Sequence, residues 1–486
     1  MTLAPEAPPR GRVGLRTPER AEQPEPRPAA ASRRRRDLWP RLLIALVLVV
    51  CTVGARAPIL DEPFWQDEVA TARVVQKPTP RSALHQIVVR ESTPPAYYMT
   101  AWSVGRLRAL LAPETVPGEW LRALSLLFSI GTTLVTFVLA LRLMPLWAAG
   151  LAGLLVSFGS ELVFHGAELR AYSLLALTSV LFALVLLRSA TRPSLPWLLA
   201  LALTVAVGSL THYFFLLTVA SGIVWILWSA RSRSTALRLG GAVAVALLPL
   251  LAWSPYWWRQ YSAGNYSTSP HFALYRLPEV VGTYFSPVSV LAMIGPVARL
   301  AIFLLVIGSA VGLGFVGREA RLCAILVLLP LGVAAGVAAC GPRVFNARNL
   351  LSVAPFAAIA VAWACAAIPW HRVGRGAAVA IGILIIASFG YSQATVGRTP
   401  YDVMAREIAA QGFAGGEPLI WFGGWGGHIP VGWYLVGPHA DSQSSSGLLQ
   451  AAPARNAVCP AVEVVALNRT GHRWIEQHRA EVLASV

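Results

Sequence analysis

Apolar runs close to twenty residues long recur from Leu38 to about Ala394, and no other feature restricts the possible folds of this chain as strongly. A hydrocarbon core is roughly 30 Å thick and an α-helix rises about 1.5 Å per residue, so each run can cross a bilayer with its backbone hydrogen bonds satisfied internally. Of 486 residues, 56% are hydrophobic and 13% charged, more apolar surface than a soluble fold can hide. The expected fold is an all-α polytopic membrane protein of about eleven transmembrane helices. The spans fall near 38–56, 119–141, 145–164, 171–188, 195–211, 213–230, 235–254, 292–316, 319–340, 348–369 and 374–394.

Segment 96–112 is the exception, because Arg106 and Arg108 interrupt its apolar stretch; it reads as a re-entrant or interfacial helix. Basic loop residues agree with that choice. If 96–112 does not cross, then Arg142, Arg188, Arg192, Arg231, Arg233, Arg238, Arg318, Arg321, Arg372 and Arg375 all fall on the cytoplasmic side, as positive-inside statistics require.

Residues 1–37 are rich in Pro, Ala, Arg and Glu and read as a disordered cytoplasmic tail ending in Arg33 to Arg36. Residues 38–395 form the transmembrane domain, with a first outer loop at 57–118. Residues 396–486 are less hydrophobic, with strand-like runs at Pro418–Phe422 and Val462–Leu467, and read as a small extracytoplasmic α/β appendage. The net charge of +17 is almost all arginine, Lys77 being the only lysine. It is spread over short loops with no basic stripe and interleaved aromatics, so nucleic acid is not an expected partner. The five cysteines show no metal or disulfide spacing.

Residues able to carry chemistry gather on the outer side. The first outer loop holds Trp65-Gln66-Asp67-Glu68. A carboxylate beside a membrane is solvated, paired or used, and Asp67 stands where a general base could activate an acceptor hydroxyl; the alternative is a solvated acidic loop. Farther along come Lys77 and then Thr93-Pro94-Pro95-Ala96-Tyr97-Tyr98, the basic group holding either a lipid phosphate or ordinary headgroups. The third span ends in His165-Gly166-Ala167-Glu168-Leu169-Arg170-Ala171-Tyr172, where Arg170 is expected either to pair with Glu168 or to grip an anion. Thr211-His212-Tyr213 marks the next outer break. Arg343 and Arg348 precede the tenth span on the side that arginine avoids, which points to an anionic partner such as a lipid phosphate, against headgroup snorkelling as the alternative. Asp67, Glu68 and His165 leave room for a divalent metal, although no ligand spacing calls for one.

Taken in order, Trp65-Gln66-Asp67-Glu68, Pro94-Pro95-Ala96-Tyr97-Tyr98, Glu168-Leu169-Arg170-Ala171-Tyr172, Thr211-His212-Tyr213 and Arg348-Asn349-Leu350-Leu351 resemble bacterial glycosyltransferase family 39, related to the protein O-mannosyltransferases and aminoarabinose transferases of the GT-C fold. The resemblance implies inverting transfer of a sugar from a polyprenyl-phosphate donor to a lipid, glycan or protein acceptor on the outer face of a bacterial plasma membrane. It implies Asp67 as general base and Glu68 assisting it. Arg170, Arg343, Arg348 and Lys77 would hold the lipid phosphate, and His165, Glu168, Tyr172, His212, Tyr213, Tyr97 and Tyr98 would line the substrate pocket. The sequence departs from many relatives at Asn349, where they carry Tyr, and at Thr93, and no MIR-like domain is inserted at 255–291. The rival reading is a transporter or lipid-sugar flippase, which should carry ionisable groups at mid-span or broken helices in repeated halves.

Overall fold

The computed structural model describes residues 28–111, 118–262, 271–395, 399–411, 419–422, 428–436, 450–451 and 462–465. The helices of the amino-terminal half are α1 (Pro28–Leu60), α2 (Gln66–Val75), α3 (Pro80–Arg90), α4 (Ala96–Leu111), α5 (Arg122–Ala140), α6 (Leu146–Phe158), α7 (Ser160–Gly166), α8 (Tyr172–Thr191) and α9 (Leu195–Ser209). There follow α10 (Phe215–Ser229), α11 (Arg233–Ala246), α12 (Leu248–Ser262), α13 (Arg276–Thr283), α14 (Val288–Val316), α15 (Arg318–Ala339), α16 (Ala354–Ala367) and α17 (His371–Thr395).

Among the described residues seven helices are long and apolar enough to cross a membrane, α11 and α12 counting as one continuous span of 30 residues. The bent pair α6–α7 supplies one more candidate, and three shorter apolar helices lie at 195–209, 215–229 and 351–367. Each of the eleven expected spans coincides with one of these, and the chain is a multi-pass membrane protein. Helix α4 is not among them. Its sixteen residues include Arg106 and Arg108, which shorten the apolar stretch below a bilayer's thickness.

Two expectations need correction. Helix α1 begins at Pro28, so residues 28–37 are helical rather than disordered. Ala and Arg are strong helix formers and proline suits a first helical turn. Residues 1–27, the rest of that tail, lie outside the described residues. The span expected at 145–164 is broken: α6 and α7 meet at 56°. The break is at Gly159, where a Cβ would lie 2.5 Å from the Tyr284 carbonyl oxygen and 2.8 Å from that of Leu155. Only glycine admits so close a backbone approach.

The segment between α1 and α5 is a layer of three short helices rather than an open loop. Val69, Ala72 and Val75 of α2, Ala83 and Ile87 of α3, and Tyr97, Tyr98 and Ala101 of α4 share one buried cluster with Leu169 and Leu174. Thr79 caps α3, its hydroxyl accepting the Ser82 amide at 3.2 Å, with Pro80 next to it. Helix α8 is the most enclosed of the long spans, 72% of its apolar window being buried, and it packs on α5 and α9.

In the carboxyl-terminal part lie α18 (Tyr401–Ala410), β1 (Leu419–Phe422), α19 (His428–Val436), β2 (Gln450–Ala451) and β3 (Val462–Val465). The strands form an antiparallel sheet in the order β1-β3-β2, Leu419 opposite Val465 and Phe422 opposite Val462. The described parts of both expected strand runs, 419–422 and 462–465, are therefore strands.

Candidate active site

Helix α2 carries the acidic pair in its first turn, where carboxylates meet the positive end of the helix dipole. The two have different surroundings. Glu68 is fully buried, and its carboxylate takes Arg122 Nε at 2.7 Å and Arg122 Nη2 at 2.5 Å. The Leu169 amide donates to it at 2.8 Å and the Trp65 amide at 3.3 Å. Arg122, also fully buried, donates as well to the carbonyls of Ile59 (3.0 Å), Leu60 (3.1 Å), Pro63 (3.2 Å) and Glu62. Its guanidinium lies 5.1 Å from the centre of the Phe64 ring. The Glu68–Arg122 pair thus fastens the chain from Ile59 to Glu68 onto α5.

Asp67 is accessible. Its Oδ2 lies 3.5 Å from Arg348 Nη1, with a quarter of the Asp67 side chain and about a third of the Arg348 side chain exposed (25% and 35%). Asp67 of the acidic pair and the arginine of the loop before α16 therefore meet, while Glu68 faces Arg122. Beside them Arg170 turns to Glu91 at 2.8 Å, not to Glu168. It also donates to the Asp67 carbonyl at 3.2 Å, and its guanidinium is 5.5 Å from the Tyr98 ring centre. Burial works against the Arg170 charge, but Glu91 together with Tyr98, Asp67 and Tyr172 outweighs it and holds the guanidinium protonated well above its usual range. Glu91 accepts in addition from the Tyr98 hydroxyl at 2.9 Å, and that hydroxyl shares a 2.7 Å bond with Thr93.

Glu168 is committed elsewhere. His165 Nδ1 is 2.6 Å from Glu168 Oε2, and the Trp65 indole donates to Glu168 Oε1 at 3.0 Å. His165 Nε2 lies 3.3 Å from Glu161. The Tyr172 ring stands between two histidines, its centre 4.4 Å from that of His165 and 5.6 Å from that of His212. His212 accepts the Phe214 amide at 3.2 Å. Burial first, and then the guanidiniums of Arg348 and Arg170 and the ring of His165, lower its pKa to about 3, so it is a neutral acceptor at physiological pH.

Other candidates fall outside this constellation or serve as its frame. Tyr97 is fully buried, with its hydroxyl 2.7 Å from Ser125 Oγ. Tyr213 turns to Gln260 at 2.6 Å and receives the Trp253 indole at 3.1 Å. Lys77 follows the carboxyl end of α2, about 15 Å along the helix from Asp67 at 1.5 Å per residue. Its carbonyl accepts from Trp102 and Arg106 of α4. Arg343 is exposed and contacts His271. Sequence patterning does not single out two of the partners, Glu91 and the Arg122 that lies inside an apolar run. An arginine within an apolar span was the available signal, and Arg56 is a second such case. It is buried in α1 and donates to the carbonyls of Thr52 (3.1 Å), Ser157 (2.9 Å) and Leu162 (2.8 Å), across the α6–α7 break.

The donor set does not suit a metal. Among the described residues no three His, Cys, Asp or Glu side chains are placed to hold one ion, and Glu68, Glu168 and Asp67 already face Arg122, His165 and Arg348. A cavity of about 120 Å³ adjoins the site beyond Phe164, between Glu62, Ser160, Phe389 and Gln393.

No known family profile matches the sequence, and no curated protein matches it. Solved structures do. ArnT from Cupriavidus metallidurans, bound to undecaprenyl phosphate, is similar at 17% identity and a TM-score of 0.48, over 82% of this chain and 74% of that one. The oligosaccharyltransferase AglB from Archaeoglobus fulgidus, in complex with an inhibitory peptide and a dolichol-phosphate, is similar at 12% identity and a TM-score of 0.49, over 78% and 58%. The protein O-mannosyltransferase complex of S. cerevisiae, bound to the sugar donor, is similar at 16% identity and a TM-score of 0.34, over 46% and 34%. The chain spans only about a third of the yeast protein's length and under three fifths of the archaeal one's. Identities this low assign no substrate or partner. These three solved structures are GT-C glycosyltransferases.

Proposed function

We propose that the protein is a membrane glycosyltransferase that moves a sugar from a polyprenyl-phosphate donor to an acceptor hydroxyl at the outer face, with inversion. The observation carrying this reading is the partly exposed Asp67–Arg348 pair at 3.5 Å. A base and a phosphate-binding fork stand side by side, near enough to Tyr172 and His212 for the Arg348 charge to act on both. Asp67 removes the acceptor proton while the acceptor oxygen attacks the anomeric carbon from the side opposite the phosphate. The anomeric carbon–oxygen bond breaks, and the lipid phosphate leaves with the electron pair. Arg348 takes the phosphate oxygens, since a guanidinium fork matches them and stabilises charge that grows as the bond breaks. In exchanging Asp67 for phosphate, Arg348 releases the carboxylate to act as base.

Glu68 is assigned a positioning role, because its oxygens are occupied by Arg122 and two amides. Arg170, held by Glu91, contributes field and placement rather than a free fork. The amino terminus is assigned to the cytoplasm and residues 396–486 to the outside, on the positive-inside distribution of arginines. Sugar and acceptor are to be read by mass spectrometry of products formed by the protein in nanodiscs from a panel of polyprenyl-phosphate sugars. Asp67→Asn should lower transfer by about 10²–10⁴-fold with normal insertion; transfer at the wild-type rate removes the assignment.

A further inference from the structure

Phe64, three residues before Asp67, is held from two sides. Its side chain is fully buried, with the Arg122 guanidinium 5.1 Å from its ring centre. The Trp433 ring meets it edge-on, with ring centres 6.4 Å apart and planes at 61°. Its backbone N–H donates to the Tyr434 hydroxyl at 2.7 Å, a contact spanning 370 residues of sequence. Trp433 is 5% exposed, and Ile429 and Tyr434 pack with it against the cluster that contains Val69, Ala72 and Val75 of α2. A backbone N–H that precedes a helix and lies away from water needs an acceptor, and here a side chain from the far end of the chain supplies it.

We propose that α19, through Trp433 and Tyr434, is a positioning element of the active site that clamps the 61–67 segment so that Asp67 is presented to Arg348. Arg122 holds this segment through its carbonyls and α19 through the Phe64 ring and amide. The helix that carries Asp67 is thus seated between the membrane domain and the carboxyl-terminal part of the same chain. The clamp itself is independent of the reaction. Its catalytic consequence rests on the glycosyl-transfer reading given above.

The experiment is amide hydrogen exchange on the full-length protein in lipid nanodiscs, followed at residues 60–76 and compared with the spans. Tyr434→Phe keeps the ring and removes the acceptor. It should speed exchange in this segment by about fivefold or more, with the spans unchanged. Trp433→Ala should do the same, and Trp433→Phe should restore most of the protection. Wild-type protection in both Tyr434→Phe and Trp433→Ala overturns the clamp, whatever the protein catalyses. The second readout is turnover on the polyprenyl-phosphate sugar that the wild type accepts. Tyr434→Phe should lower kcat with little change in donor KM, because the phosphate fork is intact while the base is misplaced. A loosened segment with unchanged kcat overturns the positioning role. Loss of the glycosyl-transfer reading is seen separately, as a wild-type protein that transfers sugar from no donor of the panel.

Discussion

Arg122 grips Glu68 with two nitrogens, at 2.7 and 2.5 Å, and neither side chain has any exposure. Two charges removed from water are tolerable here because every carboxylate oxygen is occupied and four neighbouring carbonyls absorb the remaining guanidinium hydrogens. The pair therefore acts as a fastener for the segment that bears Asp67.

Removing one partner leaves the other charged and buried, at a cost of about 3–5 kcal/mol. Glu68→Ala and Arg122→Ala should both lower the thermal unfolding midpoint in detergent and the yield of folded protein. Arg122→Ala should be the worse of the two, since it also orphans the carbonyls of Ile59, Leu60, Glu62 and Pro63. A wild-type midpoint in either variant contradicts the fastening role.

Asp67 and Arg348 should respond differently, because both are partly exposed and each has the solvent to fall back on. With undecaprenyl phosphate as the probe, Arg348→Ala should lose about tenfold or more in affinity, the worth of a charge-assisted hydrogen bond. Asp67→Asn should bind the probe at least as well as the wild type, since the carboxylate no longer competes for the guanidinium. Weaker binding by Asp67→Asn would show that the carboxylate does not compete with phosphate for Arg348.

The layout of this site was legible from the sequence to the extent that it follows from charge placed at the ends of apolar runs. Arg170, His212 and Arg348 are ionisable groups at span boundaries, Asp67 lies in the first outer loop, and the fold brings Asp67 to Arg348. Pairing was not legible. Arg170 chooses Glu91, 79 residues away in sequence, over Glu168 two residues away, because α3 delivers Glu91 at its carboxyl end while Glu168 is taken by His165 and Trp65. Counting spans by hydropathy also hides Arg56 and Arg122, whose charge is outvoted by apolar neighbours in any window. The break at Gly159 escaped for a related reason: composition shows an apolar run and not the carbonyls of Leu155 and Tyr284 crowding its glycine.

His212 gives the protein a pH dependence with a definite sign. Its folded pKa of about 3 lies below the roughly 6.5 of a free histidine. Between these values the unfolded chain binds more protons than the folded one, so stability rises with pH across the window. The contribution is fully present above about pH 6.5 and is lost as the pH falls toward 3, by up to about 1.4 kcal/mol per pH unit. His212→Asn keeps an acceptor for the Phe214 amide and cannot titrate. Thermal unfolding in detergent at pH 7.5 and 5.0 should show a smaller acid-induced drop for this variant than for the wild type. Equal drops would mean that another group governs the response.

The side of the membrane on which the site opens depends on whether α4 crosses. Arg106 and Arg108 make crossing costly, and Arg108 is exposed with its guanidinium 4.4 Å from the Trp120 ring centre. If α4 stays on the surface it entered, Arg108 lies outside and Ser232, the exposed cap of α11, lies inside with the basic residues around it. In a background lacking the native cysteines, Arg108→Cys should react with a membrane-impermeant maleimide in intact cells. Ser232→Cys should react only after the membrane is opened. Labelling of both from the same side would discard the eleven-span arrangement, and with it the placement of Asp67 and Arg348 on the outer face.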